Sequence, residues 1–291
     1  MTSILYITDL YYKAKGRNYY EEDLFITSRL KPHFNILIAH PEQAISFLDS
    51  ADIIVYRNIG CVLDFEDYYK EFLKAVKHKY ILSFNSFDGK GDQQGKQYLL
   101  DLQEEGYAVI PTVLIINEIE ALGNPEKYIV KLINGADSVG MEILTKDELL
   151  EANPQGKLIQ PFVNFQYEVS FYYLNDKFQY ALYAPNKEKR WDLTEYEATA
   201  EDLVFAEKFL RWNNMERGIT RVDACRLPDG SLLLVELEDL NPFLSLDLLS
   251  EEKRNYFLEN FMDALNEMAI LNTQLKKEKL NREQPKEEIG V

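Results

Sequence analysis

The sequence predicts a mixed fold, in which a parallel α/β unit is followed by an α+β part with antiparallel strands. Up to residue 87, short apolar runs alternate with amphipathic helical segments, which is typical of a parallel sheet covered on both faces. Further along, Asn175-Asp176 and Pro228-Asp229-Gly230 each separate two strand-like runs, as hairpin turns do. A glycine-rich polar segment, residues 88–96, separates the two parts.

The elements of the first unit follow from the spacing of its apolar residues. Strands are predicted where a few apolar residues stand together, and helices where apolar residues recur every three or four positions. The predicted strands are residues 3–7, 35–39, 52–56 and 80–84, and the predicted helices are residues 20–30, 42–48 and 64–76. We expect residues 1–87 to form an N-terminal domain, because such a unit has the size of a small domain.

The second part begins with the glycine-rich loop and a short helix. Tyr98, Leu99 and Leu102 share one helical face, and Gly106 is well placed to end that helix. Strands are then predicted over residues 107–111, 128–133, 157–163, 168–174, 177–184, 220–227 and 231–238.

Two more helices are predicted near the C-terminus. Thr199 with Asp202 three residues later predicts a capped helix through Leu210. Ser250 can cap a last helix, which carries on one face Phe257, Phe261, Leu265 and Met268. From Lys276 the residues are mixed in charge and almost free of apolar side chains, which predicts a frayed tail. The expected second domain is residues 88–272, with subdomains 88–160 and 161–272, and residues 273–291 form the tail.

The composition excludes several classes of function. With 32 Lys and Arg against 49 Asp and Glu, the net charge is −17, which disfavours binding to nucleic acid or an anionic membrane. Two cysteines cannot form a disulfide framework, and the three histidines lack the spacing of a zinc motif. The first apolar run is too short for a signal peptide, and no stretch is long enough to cross a bilayer. We therefore expect an acidic, soluble, cytoplasmic protein.

Charged residues on the last predicted hairpin are candidates for a metal site. If the turn has two or four residues, Arg221 lies opposite Glu236. Residues two apart on a strand share a face of the sheet, so Asp223 and Glu238 lie on that face too. Burying three carboxylates is costly unless they bind something, and oxygen ligands without His or Cys suit Mg²⁺. The alternative is a solvated hairpin edge with a cross-strand Arg–Glu pair, and a three-residue loop would change the register and break the set.

Two lysines are candidates for phosphate contacts. Lys131 interrupts an apolar strand-like run, and Lys96 follows the glycine-rich loop. An ammonium group at either place could bind phosphate, and the loop of residues 135–140 could close over the same group through its N–H donors. The commoner alternative for Lys131 is a side chain that reaches solvent from a sheet edge. Neither loop has the residue order of the phosphate-binding loop or of the dinucleotide-binding motif.

Taken in chain order, these motifs resemble the ATP-grasp superfamily, especially its carboxylate–amine ligases of the glutathione-synthetase-like kind. The resemblance covers residues 83–248, and the preceding unit would be the family's N-terminal, Rossmann-like domain. The matching pieces are Gly95-Lys96 with the helix after it, Ile110-Pro111-Thr112, the strand of residues 128–131 with its small-residue loop, residues 160–163 with Glu168-Val169-Ser170, and Arg221-Val222-Asp223 with Glu236-Leu237-Glu238 and Pro242.

The resemblance implies a site between two α+β subdomains that bind ATP and Mg²⁺, or Mn²⁺ in its place. The implied nucleotide contacts are Lys96, Lys131, Ser138, Gln160, Pro161, Phe162, Val163 and Glu168, where residues 160–163 present backbone groups to adenine and Glu168 meets the ribose. The implied metal ligands are Asp223, Glu236, Glu238 and Asn241, and the third position is open between the last two. Arg221 and Arg190 would stabilise the charge on the transferred phosphoryl group.

The resemblance also implies an ATP-dependent carbon–nitrogen ligase. A carboxylate would take the γ-phosphoryl group as an acyl phosphate, and an amine would displace phosphate to form an amide or peptide-type bond. The partners would be a small-molecule acid and amine, amino acids or a peptide among them, without nucleic acid or membrane, and an oligomer is compatible with this activity. Two alternatives stay open: a kinase that phosphorylates a small molecule on the same scaffold, and a non-catalytic nucleotide-binding protein.

Overall fold

The first part of the chain is a parallel sheet flanked by helices, in a computed structural model that describes residues 1–14, 17–57, 65–135 and 140–283. Its strands in chain order are β1 (Ser3–Ile7), the short pair β2 (Lys13–Ala14) and β3 (Arg17–Asn18), β4 (Asn35–Ala39), β5 (Ile53–Tyr56) and β6 (Leu82–Phe84). The four-stranded sheet has the order β4-β1-β5-β6, and all its pairs are parallel. The helices are α1 (Tyr20–Leu30), a 3-10 helix (Pro41–Ser50) and α2 (Glu66–Lys79).

This sheet is parallel because its central strands are apolar on both faces. In β1, residues 4–7 are fully buried, and every residue of β5 is buried as well. A strand buried on both sides needs helices above and below it, and helical crossovers connect parallel strands. The predicted parallel α/β unit is therefore confirmed.

The second part contains two antiparallel sheets. It begins with a 3-10 turn (Asp92–Gln94), α3 (Tyr98–Glu104) and a 3-10 helix (Ile116–Leu122). The small sheet consists of β7 (Tyr128–Leu132), β8 (Glu142–Leu144) and β9 (Lys157–Pro161), in the order β8-β7-β9, and α4 (Lys146–Ala152) lies between β8 and β9 in the chain. The large sheet has the order β12-β11-β10-β13-β14 and consists of β10 (Tyr167–Leu174), β11 (Lys177–Ala184), β12 (Thr194–Tyr196), β13 (Ile219–Arg226) and β14 (Leu232–Glu238). The helices α5 (Ala200–Asn213) and α6 (Glu251–Glu283) complete it, with a 3-10 turn at Leu246–Leu248.

Two predicted elements differ from the structure. Residues 107–111 form no strand, because only Val109 pairs with β14, through a single bridge to Leu234, and Pro111 has no N–H to donate. Helix α6 continues past Lys276 to Glu283, so the predicted frayed tail is wrong for those residues.

Helix α6 joins the two parts of the chain through one apolar core. Its predicted apolar face is buried, at Phe257, Phe261, Leu265 and Met268. The helix packs against β5 and β6 of the parallel sheet and against β10 and β11 of the large sheet. Because this core includes residues of both parts, the predicted domain boundaries stay predictions. Within the described ranges, no helix has the length and apolar character needed to cross a membrane.

A buried ion cluster fastens the loop after β14 to the first unit. Arg57 is fully buried, and it donates to Glu22 over 3.0 Å and to the carbonyl oxygen of Pro242 over 2.5 Å. Glu22 in turn accepts from the N–H groups of Leu244 and Leu246, at 2.9 and 3.1 Å. Residues 242–246 are thus held in place by both members of the ion pair, since Arg57 binds a carbonyl oxygen of this segment and Glu22 binds two of its N–H groups.

We expect Glu22→Gln to flatten part of the pH dependence of stability. Burial raises the pKa of Glu22 from 4.5 to about 7 in the folded protein, although Arg57 acts in the opposite direction. The folded state then binds a proton more readily than the unfolded state, so this group lowers the free energy of unfolding by roughly 1–3 kcal/mol as the pH rises from 4.5 to 7. Glutamine does not titrate, so urea unfolding of the variant should lack this decrease. The exposed neighbour Glu21→Gln is the control, and equal pH slopes for Glu22→Gln and wild type would contradict the assignment.

Candidate active site

Most of the predicted site residues meet in a cavity of about 490 Å³ between the parallel-sheet unit and the large sheet. Those that line it are Lys96, Glu168, Arg190, Arg221, Asp223, Glu236, Glu238 and Asn241. The predicted adenine and phosphate contacts Lys131, Gln160, Pro161, Phe162 and Val163 are on β7, β9 and the segment after β9, outside the described cavity wall. Ser138 and most of the predicted loop 135–140 lie outside the described residues.

Three carboxylates at the base of the cavity form a candidate metal site. Carboxylate oxygens of Asp223, Glu236 and Glu238 all lie within 4.8 Å of one another, and the three side chains are largely buried. Small side-chain adjustments would bring these oxygens to the bonding distances of a divalent cation. Because every donor is a hard oxygen, the set suits Mg²⁺ or Mn²⁺ better than zinc.

The hairpin forms this cluster in a register that differs from the predicted one. The loop between β13 and β14 has three residues, Pro228-Asp229-Gly230, and this length alone would move the carboxylates to different faces. A β-bulge beside Asp223 adds one residue to β14, so Asp223 pairs with Glu236 and Arg221 with Glu238. The predicted pairing of Arg221 with Glu236 is therefore wrong. The predicted common face is correct because the bulge compensates for the odd loop.

Arg221 holds the carboxylate cluster from one side. Its Nε and Nη2 atoms both donate to Asp223, at 2.9 Å, and Nη2 also contacts Glu238. Its Nη1 atom donates to the carbonyl oxygen of Phe243 over 3.1 Å, which fixes the guanidinium plane. Burial, together with the Asp223 carboxylate, raises the pKa of Glu238 from 4.5 to about 8, although the Arg221 guanidinium acts in the opposite direction. A bound cation would offset the cost of keeping these carboxylates charged.

Three cationic side chains converge between the two antiparallel sheets. Lys96 forms an ion pair with Glu236 at the edge of the carboxylate cluster. Lys131 lies on β7, the central strand of its sheet, and not at a sheet edge. Burial, together with the neighbouring charges of Lys96 and Arg190, lowers the pKa of Lys131 from 10.5 to about 8. Cations brought together at such a cost suit a polyanion such as a triphosphate.

Glu168 and Arg190 bind each other at the cavity wall. The Arg190 Nε donates to one carboxylate oxygen over 2.6 Å, and Nη2 donates to the other over 2.8 Å. The resemblance implied a ribose contact for Glu168 and a phosphoryl contact for Arg190, and in the structure each side chain is the hydrogen-bond partner of the other.

The predicted adenine segment contains a buried acceptor. Gln160 is 1% exposed, and its Nε2 donates to the Thr112 hydroxyl over 2.8 Å. Among the described residues its Oε1 has no hydrogen-bond partner, and such an orphaned oxygen fits an amino group as donor. The Phe162 N–H, by contrast, donates to the Lys127 carbonyl over 2.9 Å.

Two carboxyls that the sequence alone did not reveal, the buried Asp239 and the partly buried Asp92, connect the glycine-rich loop to the end of β14. Asp239 accepts from the N–H groups of Gly91 and Gln93, at 2.8 and 3.0 Å. Asp92 accepts from the N–H groups of Asp239 and Leu240, at 2.7 and 3.0 Å. Burial raises the pKa of both carboxyls, and for Asp92 the nearby Asp239 adds to it. These bonds of Asp92 and Asp239, which we call the clasp, set the position of the metal-site strand β14 relative to the loop that precedes Lys96.

We expect Gly89→Ala to lower the free energy of unfolding by about 2–4 kcal/mol, because the added methyl group would displace Asp239. A Cβ at Gly89 would lie 2.1 Å from an Asp239 carboxylate oxygen, and that carboxylate is held by two N–H groups. The control is Gly106→Ala, whose Cβ would meet nothing within 4 Å among the described residues. Its positive φ alone costs about 1–2 kcal/mol. Equal losses in urea unfolding for both variants would contradict the clasp.

Comparisons with known proteins bear on the fold. No protein-family model matches the sequence, and no curated protein matches it. The chain is similar to the D-alanine–D-alanine ligase from Bacillus anthracis complexed with ATP, with a TM-score of 0.70 at 15% identity over 96% of this chain and 100% of that one. D-cycloserine synthetase DcsG gives a TM-score of 0.69 at 16% identity, over 91% and 99% of the two chains.

A ligase that was solved in complex with a peptide is among the similar structures as well. The Chryseobacterium gregarium RiPP-associated ATP-grasp ligase, in complex with ADP and a leader and core peptide, gives a TM-score of 0.59 at 14% identity, over 94% of this chain and 97% of that one. Two of these structures are described as ligases and one as a synthetase, and their likeness extends over 91–96% of this chain. The chain therefore shares the fold of these three structures.

Proposed function

We propose that this protein is an ATP-dependent carbon–nitrogen ligase that works with Mg-ATP. The observation that carries the proposal is the cluster of Asp223, Glu236 and Glu238 with Arg221, at the base of a cavity between the two parts of the chain. Its support is the fold, since one similar ligase was solved with ATP and another with ADP and a peptide. In the reaction, an acid would take the γ-phosphoryl group and an amine would then displace phosphate.

The residues divide the work by their chemistry. Asp223, Glu236 and Glu238 would hold Mg²⁺ or Mn²⁺, which supplies charge neutralisation at the phosphates, with Asn241 as the alternative third ligand. Lys96 and Lys131 would contact the phosphates, and Lys96 must leave Glu236 to do so. The remaining nucleotide contacts that we propose are Ser138, Gln160, Pro161, Phe162, Val163 and Glu168.

Arg221 is the proposed electrostatic catalyst, with Arg190 as a second cation. Its hydrogen bonds to Asp223 and to the Phe243 carbonyl orient the guanidinium before substrate binds. A cation that is already oriented stabilises charge that develops on the phosphoryl group without reorganisation. The proposed substrates are a small-molecule acid and amine, amino acids or a peptide among them. A cytoplasmic location and any oligomeric state stay predictions.

Hydroxylamine trapping tests the proposal. The protein would be incubated with Mg-ATP, hydroxylamine and a panel of acids, and the products assayed are hydroxamate, ADP and phosphate. A ligase gives all three, because an acyl phosphate is intercepted by a strong nucleophile, and Arg221→Lys should suppress them. Arg211→Lys, on the exposed face of α5, is the control. A stable phosphorylated product without hydroxamate would mean a kinase, and ATP binding without any turnover would mean a non-catalytic protein.

A further inference from the structure

One end of the cavity, beyond Arg221, is built from aromatic rings. The Phe243 backbone contacts Arg221, and its ring stacks on Tyr19 with centroids 4.4 Å apart and planes 19° apart. Tyr12 meets Tyr19 edge-on at 5.3 Å. All three rings line the cavity. They form an aromatic row (Phe243, Tyr19 and Tyr12) that leads away from Arg221 along the wall.

Helix α2 adds more apolar surface to the same cavity. Tyr69 and Leu73 from this helix line the wall. The two charged side chains that α2 contributes, Glu66 and Lys70, form an ion pair with each other one helical turn apart. This pair is largely exposed and neutral overall, so it adds little net charge to the cavity.

The aromatic row is preformed, because the backbone on both sides of Phe243 is anchored in the protein interior. The preceding carbonyl, of Pro242, accepts from the buried Arg57, and the following N–H, of Leu244, donates to the buried Glu22. Phe243 therefore has a fixed place beside Arg221. A ligand that packs on it gains contact area without first ordering a loop.

We propose that the acid substrate carries an aromatic or extended apolar group, which packs on the aromatic row while its carboxylate lies at Arg221. This inference rests on the proposed function. The Phe243 carbonyl binds Arg221, so in this pose the carbon skeleton next to a carboxylate at Arg221 lies beside Phe243. A methyl-sized side chain would leave the row in contact with water, whereas an aromatic ring would bury it and gain ring–ring contacts.

A comparison of two acids that differ by one phenyl group tests this inference. With hydroxylamine as the common amine, kcat/KM for hydroxamate formation from phenylalanine should exceed that from alanine by about 10- to 100-fold, in the better of the two stereochemical series. Phe243→Leu and Tyr12→Leu should each reduce that ratio several-fold, mainly through KM for phenylalanine, while the melting temperature reports folding. Tyr256→Leu, an exposed aromatic on α6, is the control and should leave the ratio unchanged.

The outcomes separate this inference from the proposed function. Hydroxamate formation that favours alanine, or a ratio that both cavity variants leave unchanged, would overturn the aromatic substrate class and keep the ligase. Calorimetric titration with phenylalanine and alanine, with and without Mg-ATP, gives a second readout that needs no turnover. Tighter binding of phenylalanine that Phe243→Leu weakens, without hydroxamate from any acid, would support the aromatic site and overturn the ligase. Equal or absent binding of both acids together with no hydroxamate would overturn both.

Discussion

Glu238→Gln is expected to lower turnover by on the order of 10²- to 10³-fold while the protein remains folded. The substitution keeps the shape of the side chain and removes one of three carboxyl groups whose oxygens lie within 4.8 Å of one another. Two cations, Arg221 and Lys96, contact these carboxylates. The variant keeps two carboxylates beside these two cations, so no buried charge is left without a partner of opposite sign. Activity falls because the metal loses an anionic ligand.

The metal dependence of nucleotide binding separates this effect from general damage. In wild type, ATP should raise the melting temperature much more with Mg²⁺ than without it, because a ligand that binds only the folded state stabilises it. Glu238→Gln should lose most of that difference. Glu120→Gln removes the exposed carboxylate of a Lys–Glu pair that does not line the cavity, and it should behave as wild type. Full activity and an intact Mg²⁺ response in Glu238→Gln would mean that the carboxylates are only a solvated hairpin edge.

Lys131→Met is expected to weaken ATP binding by about 10- to 100-fold at pH 7, because a cation that faces phosphate is lost. The pKa of Lys131 is about 8 in the protein without nucleotide, and bound phosphate would raise it. Binding therefore takes up a proton above pH 8, so the affinity of wild type for ATP should fall as the pH rises from 8 to 10. In Lys131→Met that pH dependence should largely disappear.

Isothermal titration at pH 7 and pH 9.5 measures both effects. The control is Lys146→Met, which removes an exposed lysine at the start of α4 that is paired with Glu120. An unchanged affinity in Lys131→Met at both pH values would show that the ammonium group faces no phosphate.

Local patterns predicted the parallel sheet and most strands of the antiparallel sheets, although not β8 or β12, and they could not predict the register of the metal hairpin. Alternation along β13 and β14 placed Asp223, Glu236 and Glu238 on one face, and the structure brings their carboxylates together. The three-residue loop and the bulge each shift the strand by one residue, and neither leaves a signal in hydrophobic periodicity. The two shifts cancel, so the face was predicted correctly although the pairing was not.

The parts of the site that were missed depend on contacts between distant residues. Asp92 and Asp239 are 147 positions apart, and each bonds to backbone N–H groups of the other's loop. Arg57 meets Pro242 across 185 positions. In a single sequence such residues look like ordinary polar residues at the ends of strands and in loops. The glycines at positions 89 and 91 were the available signal, since their missing side chains make room for the Asp239 carboxylate.

Transfer of oxygen-18 from the acid substrate to phosphate tests the proposed acyl-phosphate chemistry most directly. An acid that supports turnover would be labelled in its carboxylate and incubated with Mg-ATP and an amine, and the released phosphate would be analysed by mass spectrometry. A ligase that forms an acyl phosphate transfers one carboxylate oxygen to phosphate for each amide formed, so labelled phosphate and ADP should appear in equal amounts. Amide formation with unlabelled phosphate, or with AMP and pyrophosphate as products, would contradict the proposed chemistry.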